Sequence, residues 1–252
     1  MLTATQLQCC RANRVVLELP QWQCLPGQFG VLLGPNGAGK STLFAALAGQ
    51  LPVRGEVLLH GVPLSQWTRR QLACHLAVLP QSSVISLPFT AREVVGLGLI
   101  PLRINRTQGQ TLVQACMRRV GCEQLSDRLF TALSGGEQQR VQLARVLVQL
   151  AQAEQPALLL LDEPVSAQDI AQQHAVLQLA RSLAHGHGWG VLAILHDINL
   201  AARYSDVVSI LCDGRLLVSG APADCLTVDI VEQGWGYRPD LLRSANGHPV
   251  LI

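Results

Sequence analysis

Apolar positions along the chain gather into short uncharged runs set between longer mixed stretches. Phe29 to Leu33 (FGVLL), Ala157 to Leu161 (ALLLL) and Gly190 to Leu195 (GVLAIL) lack the alternation of a half-exposed strand. Runs of this length and composition read as strands covered on both faces. Gly55 to Leu59 and Leu76 to Leu79 read as further strands. Val207 to Leu211 and Arg215 to Val218 flank Cys212-Asp213-Gly214, a hairpin signal. Helical spacing is predicted for Leu43 to Ala48, closed near Gly49, for Ile170 to Ala184 and for Ile198 to Tyr204. Thr90 to Leu150 is mostly helical, with breaks at Pro101 and around Gly121. Strands alternating with helices indicate an α/β fold with a mostly parallel sheet. A crossover needs only about a dozen residues, so the long helical block is expected to form an inserted subdomain over 82–150. Residues 221–252 read as a short C-terminal appendage, and 1–252 as a single domain.

Composition narrows the class. A chain of 252 residues with 49% hydrophobic and 14% charged residues can bury enough apolar surface to fold. No stretch reaches the roughly 18 apolar residues of a membrane span. The opening MLTATQLQCCRANR also lacks the order of a signal peptide, so a cytosolic location is expected. The net charge of +2 is too mild to argue for nucleic acid. Ala91 to Leu150 carries eight Arg against four acidic residues, which reads first as a solvated helical face and second as a docking face for an acidic surface. None of the eight Cys forms a C-x-x-C pair, so reduced thiols are expected.

The basic residues carry more information than the total charge. Eighteen of the 19 are Arg, and Lys40 is the single lysine. Position 40 therefore calls for a compact ammonium rather than a planar guanidinium fork. It lies in Gly34-Pro35-Asn36-Gly37-Ala38-Gly39-Lys40-Ser41-Thr42, between a predicted strand and a predicted helix. This is a phosphate-binding loop: glycines turn backbone N–H groups onto phosphate oxygens, Lys40 reaches the outer phosphates, Ser41 suits Mg²⁺, and Thr42 can donate to the inner phosphate. Leu158 to Leu161 delivers Asp162 and Glu163 to a strand end. There Asp162 would hold Mg²⁺ through water, and Glu163 would take a proton from the attacking water or polarise it.

Leu133 to Arg140 (LSGGEQQR) resembles the signature motif of ABC transporter ATPases, and the order of phosphate loop, signature and acidic strand matches that family. The resemblance covers essentially the whole chain. It implies a P-loop NTPase core with a mostly parallel sheet, an antiparallel β subdomain and an inserted α-helical subdomain. It also implies ATP and Mg²⁺ as cofactors, and a homodimer in which Ser134, Gly135, Gly136 and Glu137 of one copy close over the ATP of the other. Gln81 sits where the family's glutamine senses Mg²⁺ and the attacking water, beside Ser41 and Asp162. His196 falls where a switch histidine meets the outermost phosphate. Ser166-Ala167-Gln168-Asp169 resembles the D-loop, usually Ser-Ala-Leu-Asp, with Gln168 in place of the apolar residue.

Within the family, one short ATP module implies a separate subunit, peripheral on the cytoplasmic face of the cell membrane. Its partners would be a polytopic permease and, indirectly, a substrate-binding protein. Leu87 to Val95 and Leu200 to Tyr204 are similar to the subgroup of iron-chelate, haem and cobalamin importers. Leu87 to Val95 and Ala132 to Leu147 are most similar to the haemin importers. ATPases of ferric siderophore or cobalamin importers, and soluble non-transport members, are the alternatives. The family commonly stacks adenine on an aromatic residue upstream of the phosphate loop, but Cys9 to Arg14 contains none. Two readings follow: the guanidinium plane of Arg11 or Arg14 stacks on the base, or base selectivity is weak. On the first, an Arg11→Ala, Arg14→Ala double variant should bind ATP more weakly in equilibrium dialysis, and unaltered affinity would remove the assignment.

Overall fold

The computed structural model describes residues 1–11, 14–81, 85–166, 168–244 and 247–252. Ala12 and Asn13 of the upstream stretch, residues 82–84 at the start of the expected insertion, and Ala167 of the D-loop-like run lie outside them.

The chain opens with a hairpin, β1 (Leu2–Arg11) and β2 (Arg14–Cys24), followed by β3 (Phe29–Leu33), which is buried along its whole length. Helix α1 (Lys40–Leu47) leads to β4 (Arg54–Leu59), β5 (Val62–Pro63), α2 (Arg69–His75) and β6 (Leu76–Leu79). The helical block resolves into α3 (Ala91–Gly96), α4 (Arg106–Val120) and α5 (Gly135–Gln149), with one 3₁₀ turn between α3 and α4 and two between α4 and α5. Next come β7 (Leu158–Asp162), α6 (Ile170–His187), β8 (Gly190–Ile194) and α7 (Ile198–Tyr204). The chain closes with β9 (Val207–Cys212), β10 (Arg215–Gly220), α8 (Pro222–Cys225), α9 (Val228–Trp235), β11 (Leu241–Arg243) and β12 (Pro249–Leu251).

Ten strands form one sheet in the order β5-β4-β1-β2-β10-β9-β3-β8-β7-β6. The half from β9 to β6 is parallel, while β1, β2, β4 and β5 pair antiparallel. Two hydrophobic cores cover the two faces. Leu159 and Leu161 of β7 point into one, with Val191 and Ala193 of β8; Leu158, Leu160, Leu192 and Ile194 point into the other. The uncharged runs are therefore two-sided strands, each buried Leu contributing about 1.5–3 kcal/mol by leaving water.

Element ends follow local chemistry. Gly39, in the left-handed region, caps α1, which begins at Lys40 rather than at the predicted Leu43. Gly121 stops α4 and Gly188 stops α6, also in left-handed geometry. Helix α6 runs past the predicted Ala184 to His187, with His185 and His187 in its last turn. The appendage holds α8, α9 and the two-stranded β11–β12 sheet. Asn199 ties this sheet to α7: its side chain donates to the Leu251 carbonyl at 3.0 Å and accepts the Leu251 N–H at 2.9 Å.

The eight cysteines are free, and Cys24 is buried so fully that its thiol is pushed up to about 12. In the arginine-rich block Arg92 pairs with Asp127, Arg118 with Glu123 and Arg128 with Glu137, at largely exposed positions, which fits a solvated face. Among the described residues no helix is long and apolar enough to cross a membrane.

Gly98 sits where the 3₁₀ turn after α3 crosses α5. A Cβ there would stand 2.3 Å from the Arg145 carbonyl oxygen and 3.0 Å from the Val148 side chain. Gly98→Ala is expected to destabilise the chain by about 2–3 kcal/mol, as overpacking does, read as a lower urea midpoint. A midpoint equal to the parent's would contradict this packing.

Candidate active site

The loop after β3 is shaped by backbone contact. Gly34, Gly37 and Gly39 have φ of 146°, 83° and 98°. A Cβ on Gly34 would lie 2.1 Å from the Leu211 carbonyl oxygen, so only glycine lets β3 pass into the loop beside β9. The β9–β10 turn braces the far side, with Gly214 N donating to the Ala38 carbonyl at 3.2 Å. Asn36 and Gly37 are exposed at the tip, while Ala38 is buried beneath it. Lys40 is buried, and its Nζ donates to the carbonyls of Gly34 (2.7 Å) and Pro35 (3.0 Å). Burial lowers the Lys40 pKa, against the opposing pull of the Glu163 and Asp162 carboxylates.

Asp162 ends β7, and Glu163 follows with φ 49°, a left-handed conformation costing about 1–2 kcal/mol in a non-glycine residue. That turn sends the Glu163 side chain between two distant segments. Its Oε1 lies 2.6 Å from His196 Nε2, and its Oε2 accepts from Gln81 Nε2 at 2.7 Å. His196 follows β8, and Gln81 follows β6. Three adjacent parallel strands thus end in one cluster, because their common direction brings the residues after β6, β7 and β8 to one edge of the sheet. Burial first, then the neighbouring Glu163 charge, raises the Asp162 pKa; Lys40 and His196 oppose that rise. Asp162 Oδ1 is buried without a hydrogen-bond partner among the described residues. Asp162 and Ser41 line a cavity of about 330 Å³ with Gln50, Val78, Pro80 and Arg145.

The serine-glycine run stands at the N-terminus of α5. Ser134 caps α5 in a capping box: its Oγ accepts the Glu137 N–H at 3.4 Å, and its own N–H donates to Glu137 Oε2 at 2.9 Å. That backbone N–H, with the Ser134 hydroxyl and the Arg128 and Arg140 charges, holds the Glu137 carboxyl below its ordinary range. Ser134 and Gly135 are exposed, and among the described residues no hydrogen bond joins Ser134, Gly135 or Gly136 to Lys40, Asp162 or Glu163. Ser166 Oγ donates to the Glu163 carbonyl at 3.1 Å, and Asp169 Oδ1 caps α6 through the Gln172 N–H at 2.9 Å.

A sequence profile of the ABC transporter family matches residues 17–166. The hemin import ATP-binding protein of Shewanella denitrificans is 46% identical over 253 residues, spanning 100% of both chains. Its counterpart in Vibrio cholerae is 48% identical over 226 residues, 90% of this chain and 87% of that protein. The chain belongs to the ABC transporter family. Its fold recurs in a metal-chelate type ABC transporter in an inward-facing conformation (TM-score 0.81, 21% identity, 100% of this chain and 97% of that one). A dimeric bacterial ABC transporter cassette is also similar (TM-score 0.78, 24% identity, 88% and 99%).

Parts of this cassette's site were not singled out in the sequence. Arg145 lines the Ser41–Asp162 cavity, and burial lowers its pKa; its Nε donates to Gln142 Oε1 at 2.6 Å. An Arg inside the apolar run Val141 to Leu150 was the available signal. Gly214 braces the loop through its backbone, which leaves no side-chain signature. Arg11 and Arg14, named above for adenine, are register partners at the end of the β1–β2 hairpin where the chain passes from one strand to the next.

The raised pKa of Asp162 has a sign. The folded state holds this proton more tightly than the unfolded chain does. The contribution is therefore present at low pH and lost as pH rises from the ordinary value of 3.8 through the raised one. Asp162→Asn removes that charge, so the nucleotide-free variant is expected to melt above the parent. The gap should widen as pH rises from about 4 to about 7, on a scale of about 2–4 °C per kcal/mol. A gap that narrows over that range would refute the burial argument.

Proposed function

We propose that the chain is the ATP-hydrolysing subunit of a membrane importer for haemin, acting as a homodimer beneath a polytopic permease on the cytoplasmic side of the cell membrane. The observation that carries the ATPase reading is the Glu163 carboxylate, fixed between Gln81 and His196 one residue from Asp162. The cargo rests on hemin import ATP-binding proteins that match nearly end to end.

In this reading the N–H groups of Gly34, Pro35, Asn36, Gly37, Ala38, Gly39, Lys40, Ser41 and Thr42 form the phosphate cradle, apart from the proline, which has none. Lys40 exchanges the Gly34 and Pro35 carbonyls for phosphate oxygens. The orphaned Asp162 Oδ1 beside Ser41 suits a hard divalent cation, which all-oxygen donors favour. Ser41, Asp162 and Gln81 would hold Mg²⁺, which when bound neutralises phosphate charge. Glu163 accepts the proton of the attacking water. His196 and Gln81, both bonded to that carboxylate, orient it toward the reacting phosphate. Ser134, Gly135, Gly136 and Glu137 meet the nucleotide of the second copy, where the N-terminus of α5 offers free N–H groups to an anion. Ser166 and Asp169 lie beside that contact.

Leu87 and Ile100 are 58% and 74% exposed on the helical block, an apolar surface that suits a permease loop. Closure of the dimer would reach the permease through Gln81 and this block. A substrate-binding protein takes part only through the permease, and no nucleic acid is involved.

Glu163→Gln is expected to lower ATP hydrolysis by about 10²–10³-fold, the scale of a lost general base. It should also accumulate an ATP-bound dimer on size-exclusion chromatography. A variant that stays monomeric with ATP and hydrolyses it normally would overturn the reading. With the permease in liposomes, hydrolysis and uptake should respond to haemin; a response to cobalamin or a ferric siderophore alone would reassign the cargo.

A further inference from the structure

The strained turn at Glu163 is held from behind. Its carbonyl oxygen accepts from Gln139 Nε2 at 3.0 Å, from Ser166 Oγ at 3.1 Å and from the Ser166 backbone N–H at 3.3 Å. Gln139 comes from the second turn of α5, the helix that Ser134 caps, and is only 8% exposed. A backbone carbonyl can only accept, so Gln139 must turn its NH₂ toward Glu163 and its Oε1 away. That Oε1 accepts from Gln168 Nε2 at 3.3 Å, and the same Gln168 Nε2 also donates to the Pro164 carbonyl at 3.2 Å. Both amide orientations are thereby fixed by their partners. The relay ends at Gln168 Oε1, buried without a partner among the described residues.

We propose that Gln139 is a positioning residue for hydrolysis: paired with Gln168, it locks the backbone of Glu163 to helix α5, so that seating of Ser134 and its glycines on a nucleotide re-aims the Glu163 carboxylate. The inference rests on the ATPase reading above. Gln139 touches neither the carboxylate nor any reacting atom; it acts through the carbonyl of the residue that does. Gln168 completes the lock at a position where the family's D-loop usually carries an apolar residue. The apolar residue usual at that position would leave Gln139 Oε1 without its donor and would place no unsatisfied oxygen in the turn.

The test uses the full-length chain carrying Gln139→Leu, Gln139→Glu or Gln168→Leu. It measures kcat and KM for MgATP, and ATP-driven dimerisation with each change placed in the Glu163→Gln background. Gln139→Leu should lower kcat at least about tenfold, since small misplacements of a catalytic group are costly. KM should stay within about twofold and the dimer fraction unchanged, as for an interaction that matters only to the chemical step. Gln139→Glu should lose as much, because a carboxylate can accept from Gln168 but cannot donate to the Glu163 carbonyl. Gln168→Leu should lose less. A kcat within about twofold of the parent in both Gln139 variants overturns the proposal. So does a dimer fraction that falls in step with kcat, which is what a merely structural residue would give. Should Gln139→Leu fail to fold, Gln139→Glu and Gln168→Leu decide by the same criteria. A parent chain that hydrolyses no ATP overturns the ATPase reading and this inference together. An active parent with unaffected Gln139 variants overturns this inference alone.

Discussion

Two carboxylates, adjacent in sequence, stand at the end of a strand that is buried on both faces, and much of the surrounding structure answers to their charge. Burial pushes the Asp162 proton affinity up, and Lys40 and His196 oppose it. A left-handed turn at Glu163 swings its side chain to Gln81 and His196. Without that turn, alternation along β7 would set consecutive side chains on opposite faces of the sheet. With it, two neighbours in sequence take different partners. The strain is localised at one residue, and hydrogen bonds from α5 and from Ser166 hold it there.

The parallel half of the sheet converts sequence order into convergence. Residues 81, 163 and 196 are far apart in the chain, yet each follows a strand running in the same direction in one continuous array. The phosphate loop needs no such long-range assembly, since strand, loop and helix are contiguous. It needs room for backbone to pass backbone, which Gly34 supplies beside Leu211.

That distinction explains what was legible beforehand. The loop, the acidic strand end and the uncharged strands could be read because their chemistry is local. The amino-terminal hairpin could not be placed strand by strand. Leu2 and Ala4 point inward, then the phase slips at Gln6, which has φ 51°, and Leu7 and Cys9 point inward instead. The bulge closes against Gly55, whose Cβ would stand 2.1 Å from the Gln6 carbonyl oxygen, and no period-two pattern survives it. Gln139 was equally hidden. A glutamine on a helix carries no periodic signal, and its meaning lies in a carbonyl 24 residues away in sequence. Gln168 was visible as a departure from the family pattern, but the reason for a polar side chain there needed the neighbouring amide.

The solitary lysine has a consequence outside catalysis. With all other basic side chains arginine, the primary amines of the chain are Lys40 and the amino terminus. Lys40 is buried against two carbonyls with its pKa lowered, so a larger share of it is the neutral, nucleophilic amine than in an ordinary lysine. Amine-directed reagents therefore find one side chain in the entire sequence, and it lies at the floor of the phosphate loop. Acylation there is a chemical readout of whether that loop is open, without any engineered label.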